Sequence, residues 1–263
     1  MSLLAAGVAG RGLVDPVEPV FFGDDEALLR GAAAFETVRI RGYRPVLLDK
    51  HVARLERSAI ALRLPPPDGA AALAEQVAEA ADTEEGALRL FHTGRTLLVT
   101  AAALPPGLDA LRARGLALVT LRSGVVPGLL AGVKATSYAA PMAAVAFAES
   151  EGADDALFLG EGETVLELTT ANIWWRDGDV LFTPAVATGV LPGVTRGALV
   201  ELARGAGYRI QEGLFTLPAL LRSEEAFVSS AVREVVSVIA IDGRELPRGP
   251  VAAELQTLLE SVR

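Results

Sequence analysis

The sequence predicts a mixed α and β fold in two domains, and three observations carry that prediction. Short apolar stretches with strand character recur in both halves, and helical patterns fall between them. A Pro105-Pro106-Gly107 break interrupts the pattern near the middle. At 263 residues the chain exceeds one minimal domain and is short for three. The expected division is a first α/β domain over 1–106, a linker over 107–115 and a second α/β domain over 116–263.

Taken in order, positions 35–40 read as a strand, with a turn at Arg41-Gly42 and a second short strand near 45–48. Asp49 is a candidate N-cap for a helix through Leu62, because Val52, Leu55, Ala59 and Leu62 share one face. Pro65, Pro66 and Pro67 end that helix, and Asp68 can cap another that runs to about Ala81. Strands at 88–91 and 96–102 complete the first half, and a short charged helix at 108–114 follows the break. The second half opens with a strand at 116–121 and a helix at 140–151 that Gly152 terminates. Strands follow at 156–159, 164–168, 173–176 and 180–183, with the hairpin signal Asp177-Gly178 between the last two. A helix over 192–206 carries Gly207 just past its end. Strands at 226–229 and 235–241, the turn Asp242-Gly243 and a helix over 251–262 close the chain.

Composition removes several functions. The formal charge is −9 and no basic face is visible, so nucleic acid, whose binding needs cationic contacts to phosphate, is not an expected partner. No apolar run approaches the ~18 residues of a membrane span. No secretory pattern precedes Gly10 and there is no cysteine, so a cytoplasmic enzyme is expected. Thiol catalysis is excluded, and two histidines, His51 and His92, do not make a multi-histidine metal site. Lysine occurs only at Lys50 and Lys134, and the other 22 basic residues are arginine. Each lysine therefore matters, because only lysine offers a neutral amine for imine chemistry. Lys50 lies beside Asp49 at a helix start and reads as solvated. Lys134 lies in a stretch without other charge, where partial burial would disfavour the ammonium.

The chemistry-bearing motifs follow in order. Phe35-Glu36-Thr37-Val38-Arg39 precedes His51-Val52-Ala53-Arg54-Leu55. Next comes Lys134-Ala135-Thr136-Ser137-Tyr138. Glu167-Leu168-Thr169-Thr170-Ala171-Asn172-Ile173-Trp174 sets a carboxylate among Val165, Leu166 and Leu168, where an unpaired charge would be costly. Gly189-Val190-Leu191-Pro192-Gly193-Val194-Thr195-Arg196 opens a helix, and helix N-terminal amides suit phosphate. Ser229-Ser230-Ala231-Val232-Arg233 lies between the last two expected strands.

With these motifs in this order from about Phe22 onward, the chain resembles the class IV, branched-chain-type aminotransferases. These are the fold type IV pyridoxal-phosphate enzymes, and within them it is most similar to aminodeoxychorismate lyases. The resemblance implies a two-domain, D-amino acid aminotransferase-like α+β or α/β fold with pyridoxal 5'-phosphate as an imine on Lys134. It makes Arg54, Val194, Thr195 and Ser230 phosphate ligands, brings Tyr138 near the cofactor's phenolic oxygen and sets Glu167 against the pyridine nitrogen. A carboxylate there keeps the ring able to take up an electron pair. Lys134 then also serves as base, and Thr37 as a proton relay. His51 reads as a structural residue at a helix start, and Asn172 as one that fixes a turn. For an anionic small-molecule substrate, Arg89, Arg95 and Arg233 are the candidate ligands. The resemblance further implies a homodimer, and composition gives no reason to expect a metal, nucleic acid or membrane partner.

The shared motifs specify the cofactor more closely than the reaction. Phe35-Glu36-Thr37, the run from Thr170 to Arg176, and Ser230-Ala231-Val232 resemble the lyase segments, so release of pyruvate and 4-aminobenzoate is the expected reaction. Transamination of branched-chain or D-amino acids is the alternative. A non-catalytic, cofactor-binding paralogue would have no chemical need for Lys134.

Overall fold

Side chains that alternate between an apolar and a polar face build most of the strands, and helices with one apolar stripe cover them. The computed structural model describes residues 2–122, 128 and 130–262. The chain divides into two units, one of Met1–Pro106, Val133–Tyr138 and Val262–Arg263, the other of Gly107–Gly132 and Ala139–Ser261.

The first unit contains β1 (Leu3–Val8), β2 (Gly12–Val14), α1 (Glu26–Arg30), β3 (Ala34–Arg41) and β4 (Arg44–Pro45). It continues with α2 (Leu48–Ala61), α3 (Ala70–Ala81), β5 (Glu85–His92) and β6 (Leu97–Ala102). Its strands form one antiparallel sheet in the order β2-β1-β6-β5-β3-β4. Val38 and Ile40 of β3, Leu88 and Leu90 of β5 and Val99 of β6 meet Leu55 of α2 and Leu73 and Val77 of α3 in the core. The strand period of two then sends Phe35 and Thr37 to the other face. There Phe35 lies opposite Phe91 and Thr37 opposite Arg89.

The second unit contains α4 (Leu108–Arg114), β7 (Leu116–Arg122), α5 (Ala139–Ser150), β8 (Asp155–Leu159), β9 (Val165–Leu168) and β10 (Asn172–Asp177). It continues with β11 (Val180–Pro184), α6 (Val194–Gly205), β12 (Arg209–Gly213), α7 (Leu217–Leu220), β13 (Glu225–Ser230), β14 (Glu234–Ile241), β15 (Arg244–Glu245) and α8 (Val251–Glu260). Strand β9 pairs with both β8 and β10, so the six strands β10-β13-β14-β7-β8-β9 close on themselves. Closure removes the open edges that a flat sheet would leave. Leu116, Leu118, Leu157, Ile173, Trp175, Val228 and Val236 belong to the core of this unit. Strands β11 and β12 extend the sheet beyond β10.

Three expectations are corrected. The lysine segment groups with the first unit, not with the second half of the chain. The reason is backbone bonding next to β3: Phe35 N–H donates to the Lys134 carbonyl at 3.0 Å, and Thr136 N–H to the Ala33 carbonyl at 2.9 Å. Gly31, at φ 68, lets this segment come close, since a Cβ there would lie 2.9 Å from Ser137 Oγ. The expected linker is instead mostly α4, which packs within the second unit through Leu111 and the ion pair Arg112–Glu234. Asp49 also does not cap α2. The chain turns at Leu47, φ 53, and the helix begins at Leu48 without a side-chain cap. The sequence reading assigned no element to β1, β2, α1, β12 or α7.

Leu90 is fully buried in the first core. Leu90→Ala is expected to lower the unfolding free energy by about 2–5 kcal/mol, read from urea titration.

Candidate active site

In the first unit, three buried ionisable side chains converge. Glu36 points from β3 into the core side, where α2 supplies Arg54 and His51 one turn apart. Arg54 donates through Nε to Glu36 Oε1 and through Nη2 to Oε2, each at 2.7 Å. His51 Nδ1 lies 2.8 Å from Glu36 Oε2. A carboxylate only accepts, so Nδ1 carries the proton. Burial by itself would raise the Glu36 pKa, but the hydrogen bonds and charge of Arg54 and His51 outweigh it and hold the carboxyl at about 2. Burial also drives the His51 pKa below its ordinary value. The charges of Arg54 and Lys134 act in the same sense, against the pull of Glu36.

Lys134 is half-buried beside this cluster. Its backbone N–H donates to Ser58 Oγ on α2 at 3.2 Å, and its carbonyl accepts from Phe35. The amine Nζ lies 4.4 Å from the Phe35 ring centroid and 6.0 Å from that of Tyr138. Those two rings meet edge to face at 5.4 Å. Sequence-predicted Lys134 and Tyr138 are thus brought together, with Phe35 between them. Thr37 is half-buried on the strand face that carries Phe35, cross-strand from exposed Arg89. Arg54 lies within the Glu36 cluster, whose bidentate grip fixes its guanidinium. Arg95 pairs with Asp24 at 2.7 Å and stacks over Phe22 at 4.2 Å.

In the second unit, Glu167 is half-buried and held at both oxygens. Asn172 Nδ2 donates to Oε2 at 3.2 Å and Leu191 N–H donates to Oε1 at 3.0 Å. Asn172 also donates to the Leu191 carbonyl at 3.0 Å, so it locks the carboxylate to the segment that leads into α6. Gly193 precedes that helix, and a Cβ there would lie 2.1 Å from Asn172 Oδ1. Val194 and Thr195, both buried, form the first turn of α6, where amide groups have no partner within the helix. Ser230 Oγ accepts from the Arg233 amide at 3.2 Å. The Arg233 side chain turns to Asp155 and Thr170.

Glu36 carries no role readable from the sequence, because its partners lie 15 and 18 residues away and spacing alone does not reveal them. A carboxylate between Phe35 and Thr37 on a strand with an apolar alternate face was the available signal. Among the described residues no cluster of His, Cys, Asp or Glu could hold a metal, and no helix is long and apolar enough to cross a membrane.

An antiparallel-sheet unit with a half-buried lysine, and a closed-strand unit with a clamped glutamate beside a helix start, define a class of cofactor enzyme. Residues 33–241 match the class IV aminotransferase family, and the chain belongs to it. It is 32% identical to the bifunctional aminodeoxychorismate lyase / D-amino acid transaminase of Mycobacterium tuberculosis, over 95% of each chain. It is 27% identical to the aminodeoxychorismate lyase of Bacillus subtilis, over 90% of this chain and 86% of that one. A solved structure described as a hypothetical aminotransferase from Mycobacterium tuberculosis, PLP-bound form, superposes with a TM-score of 0.92 at 30% identity, over 98% of both chains. The fold is that of the fold type IV aminotransferases, and the family is pyridoxal-phosphate dependent.

Two outcomes are expected. Glu36 binds fewer protons folded than unfolded, so its stabilisation is complete above its ordinary pKa of 4.5 and is lost as pH falls through about 2. The depressed pKa of His51 acts in the same sense, with loss beginning below 6.5. Thermal midpoints should therefore fall with acidification below pH 6.5. Glu36→Gln, which strands Arg54 in the core, should destabilise by about 3–5 kcal/mol and remove the part of the slope below pH 4.5. Separately, Gly193→Ala should displace Asn172 and weaken pyridoxal phosphate binding by about tenfold or more, measured by titration of the visible absorption.

Proposed function

We propose that this chain is a pyridoxal-phosphate lyase that splits 4-amino-4-deoxychorismate into pyruvate and 4-aminobenzoate. The donor set fits the cofactor. Lys134 supplies an amine, and Glu167 supplies a carboxylate that Asn172 and the Leu191 amide hold at both oxygens. Arg54, the Val194 and Thr195 amides and the Ser230 hydroxyl would hold the phosphate. Tyr138 would face the phenolic oxygen. When bound, the cofactor supplies an electron sink for the pair left as the substrate carbon loses its proton.

The residues of the chain do the rest. The Lys134 amine takes the proton from the carbon that bears the substrate amine. Glu167 orients the ring and keeps its nitrogen charged. The observation that carries the lyase reading is the strand face of Phe35, with Lys134 Nζ over that ring and Thr37 two residues along. A hydroxyl on that face supports proton delivery to the departing pyruvate carbon. Of the three candidate substrate arginines, Arg95 and Arg233 already face acids of this chain. Arg89, exposed and cross-strand from Thr37, is the one we assign to a substrate carboxylate.

D-amino acid transamination is the second reading, favoured by the bifunctional relative. A homodimer in the cytoplasm belongs to the same proposal, and exposed Leu3, Leu4, Leu13 and Val17 on the first unit support a second copy as cover.

The test is product analysis of the purified protein with 4-amino-4-deoxychorismate and no keto acid. Equal yields of pyruvate and 4-aminobenzoate are expected, and Lys134→Ala should reduce them by about 10³-fold or more. Arg89→Met should raise KM with a smaller change in kcat. Turnover of D-alanine with 2-oxoglutarate, and none of aminodeoxychorismate, would replace the lyase by the transaminase.

A further inference from the structure

Arg233 belongs to a buried tie between two turns of the second unit. Asp155, fully buried at the start of β8, lies with Oδ2 2.8 Å from Arg233 Nη1, a close ion pair whose approach is off the hydrogen-bonding axis. Asp155 Oδ1 accepts from Thr169 Oγ1 at 2.6 Å and from the Ala156 amide at 2.9 Å. Arg233 Nη2 donates to Thr170 Oγ1 at 2.9 Å. The pair thus grips both threonines of the turn between β9 and β10. That turn begins just after Glu167 and ends at Asn172, the donor that clamps Glu167.

The second turn is Arg233's own. Its amide donates to Ser230 Oγ, and its carbonyl accepts from Arg112 Nε at 3.2 Å. The next residue, Glu234, is buried at φ 58, a conformation that disfavours a side chain. Arg112 Nη2 at 2.7 Å and Gln256 Nε2 at 3.0 Å both donate to its carboxylate, which holds the turn in that conformation. Ser230 therefore sits on a strained loop whose other end is tied, through one guanidinium, to the loop of Glu167.

We propose that Arg233 is a positioning residue that sets the turn bearing Ser230 in register with the turn bearing Glu167 and Asn172, and that it is not a ligand of the substrate. This rests on the reading of the chain as a pyridoxal-phosphate enzyme. Loss of the tie changes cofactor binding and the electronic setting of its ring, while recognition of the substrate carboxylate stays.

The experiment compares the full-length wild type with Thr170→Val, Arg233→Lys, Arg233→Met, Asp155→Asn and the Asp155→Asn/Arg233→Met double variant. Pyridoxal phosphate affinity, the visible absorption against pH, and kcat and KM for 4-amino-4-deoxychorismate are measured for each. Thr170→Val, at an exposed residue, removes one acceptor and should weaken cofactor binding by about tenfold. Arg233→Met and Asp155→Asn should weaken it further and move the pH midpoint of the visible band, with KM within about twofold of wild type. Arg233→Lys should restore part of the loss. The double variant should bind better than Arg233→Met alone, because no unpaired carboxylate remains buried.

A KM raised about tenfold or more in Arg233→Met, with cofactor affinity and spectrum unchanged, would make Arg233 a substrate ligand and overturn the proposal. Variants that lose only thermal stability would overturn it too. If Arg233→Met does not fold, Thr170→Val and Arg233→Lys decide. A wild type that binds no pyridoxal phosphate defeats the functional reading instead, and a wild type that binds it but releases no pyruvate defeats only the lyase assignment.

Discussion

The hydrogen bond from the Phe35 amide to the Lys134 carbonyl, at 3.0 Å, is the constraint from which the chemistry of the first unit follows. It fixes the lysine backbone beside β3 in one register, together with the Thr136–Ala33 bond on the next residue pair. The pleat then does the sorting. Glu36 and Val38 go to the helix side, while Phe35 and Thr37 go to the other. A slip of one residue would exchange the faces, burying an aromatic ring among Arg54 and His51 and exposing the carboxylate that holds them. The amine and the charge cluster therefore belong to one register decision.

Two carboxylates show how partners decide what a buried acid is for. Glu36 receives both bonds from Arg54 and one from His51, and its charge is consumed inside the protein. Such a group rigidifies: it fixes the guanidinium and the imidazole tautomer, and it ties α2 to β3. Glu167 accepts from a backbone amide and a side-chain amide, neutral donors that orient a carboxylate. On the proposed reading, a carboxylate so oriented would face the protonated ring nitrogen of the cofactor. The same residue type thus serves as anchor in one unit and, on the proposed reading, as recognition group in the other.

Much of this was legible in the sequence, for physical reasons that differ by element. Strands β10 and β11 were marked by Asp177-Gly178, a local signal that needs no knowledge of distant partners, and Asp177 pairs with Val180 across it. The helix over Leu108–Arg114 was visible from its polar flank after a Pro-Pro-Gly break. Strand β1, Leu-Leu-Ala-Ala-Gly-Val, was not, because small residues blur the alternation and its burial comes from β6 and α3. The membership of Lys134 in the first unit was not legible either. It rests on backbone bonds across about a hundred residues, and the backbone carries no sequence signature. That Arg54 meets Glu36 and Arg233 meets Asp155 was not legible either, for the related reason that a guanidinium reads alike whether it meets an internal acid or a ligand.

The arginines make the last step. A chain with 22 arginines and a net charge of −9 has acids enough to occupy most of them. Arg39 meets Glu85, Arg54 meets Glu36, Arg95 meets Asp24, Arg196 meets Glu212 and Arg233 meets Asp155. On the proposed reading, in which the substrate is anionic, the informative one of the three candidates Arg89, Arg95 and Arg233 is the one without an internal acid. The Arg89 side chain has no hydrogen-bond or ion-pair partner among the described residues, lies exposed on β5 and is cross-strand from Thr37. Of three arginines alike in sequence, Arg95 and Arg233 thus hold the protein together, and Arg89 is left to the proposed substrate carboxylate.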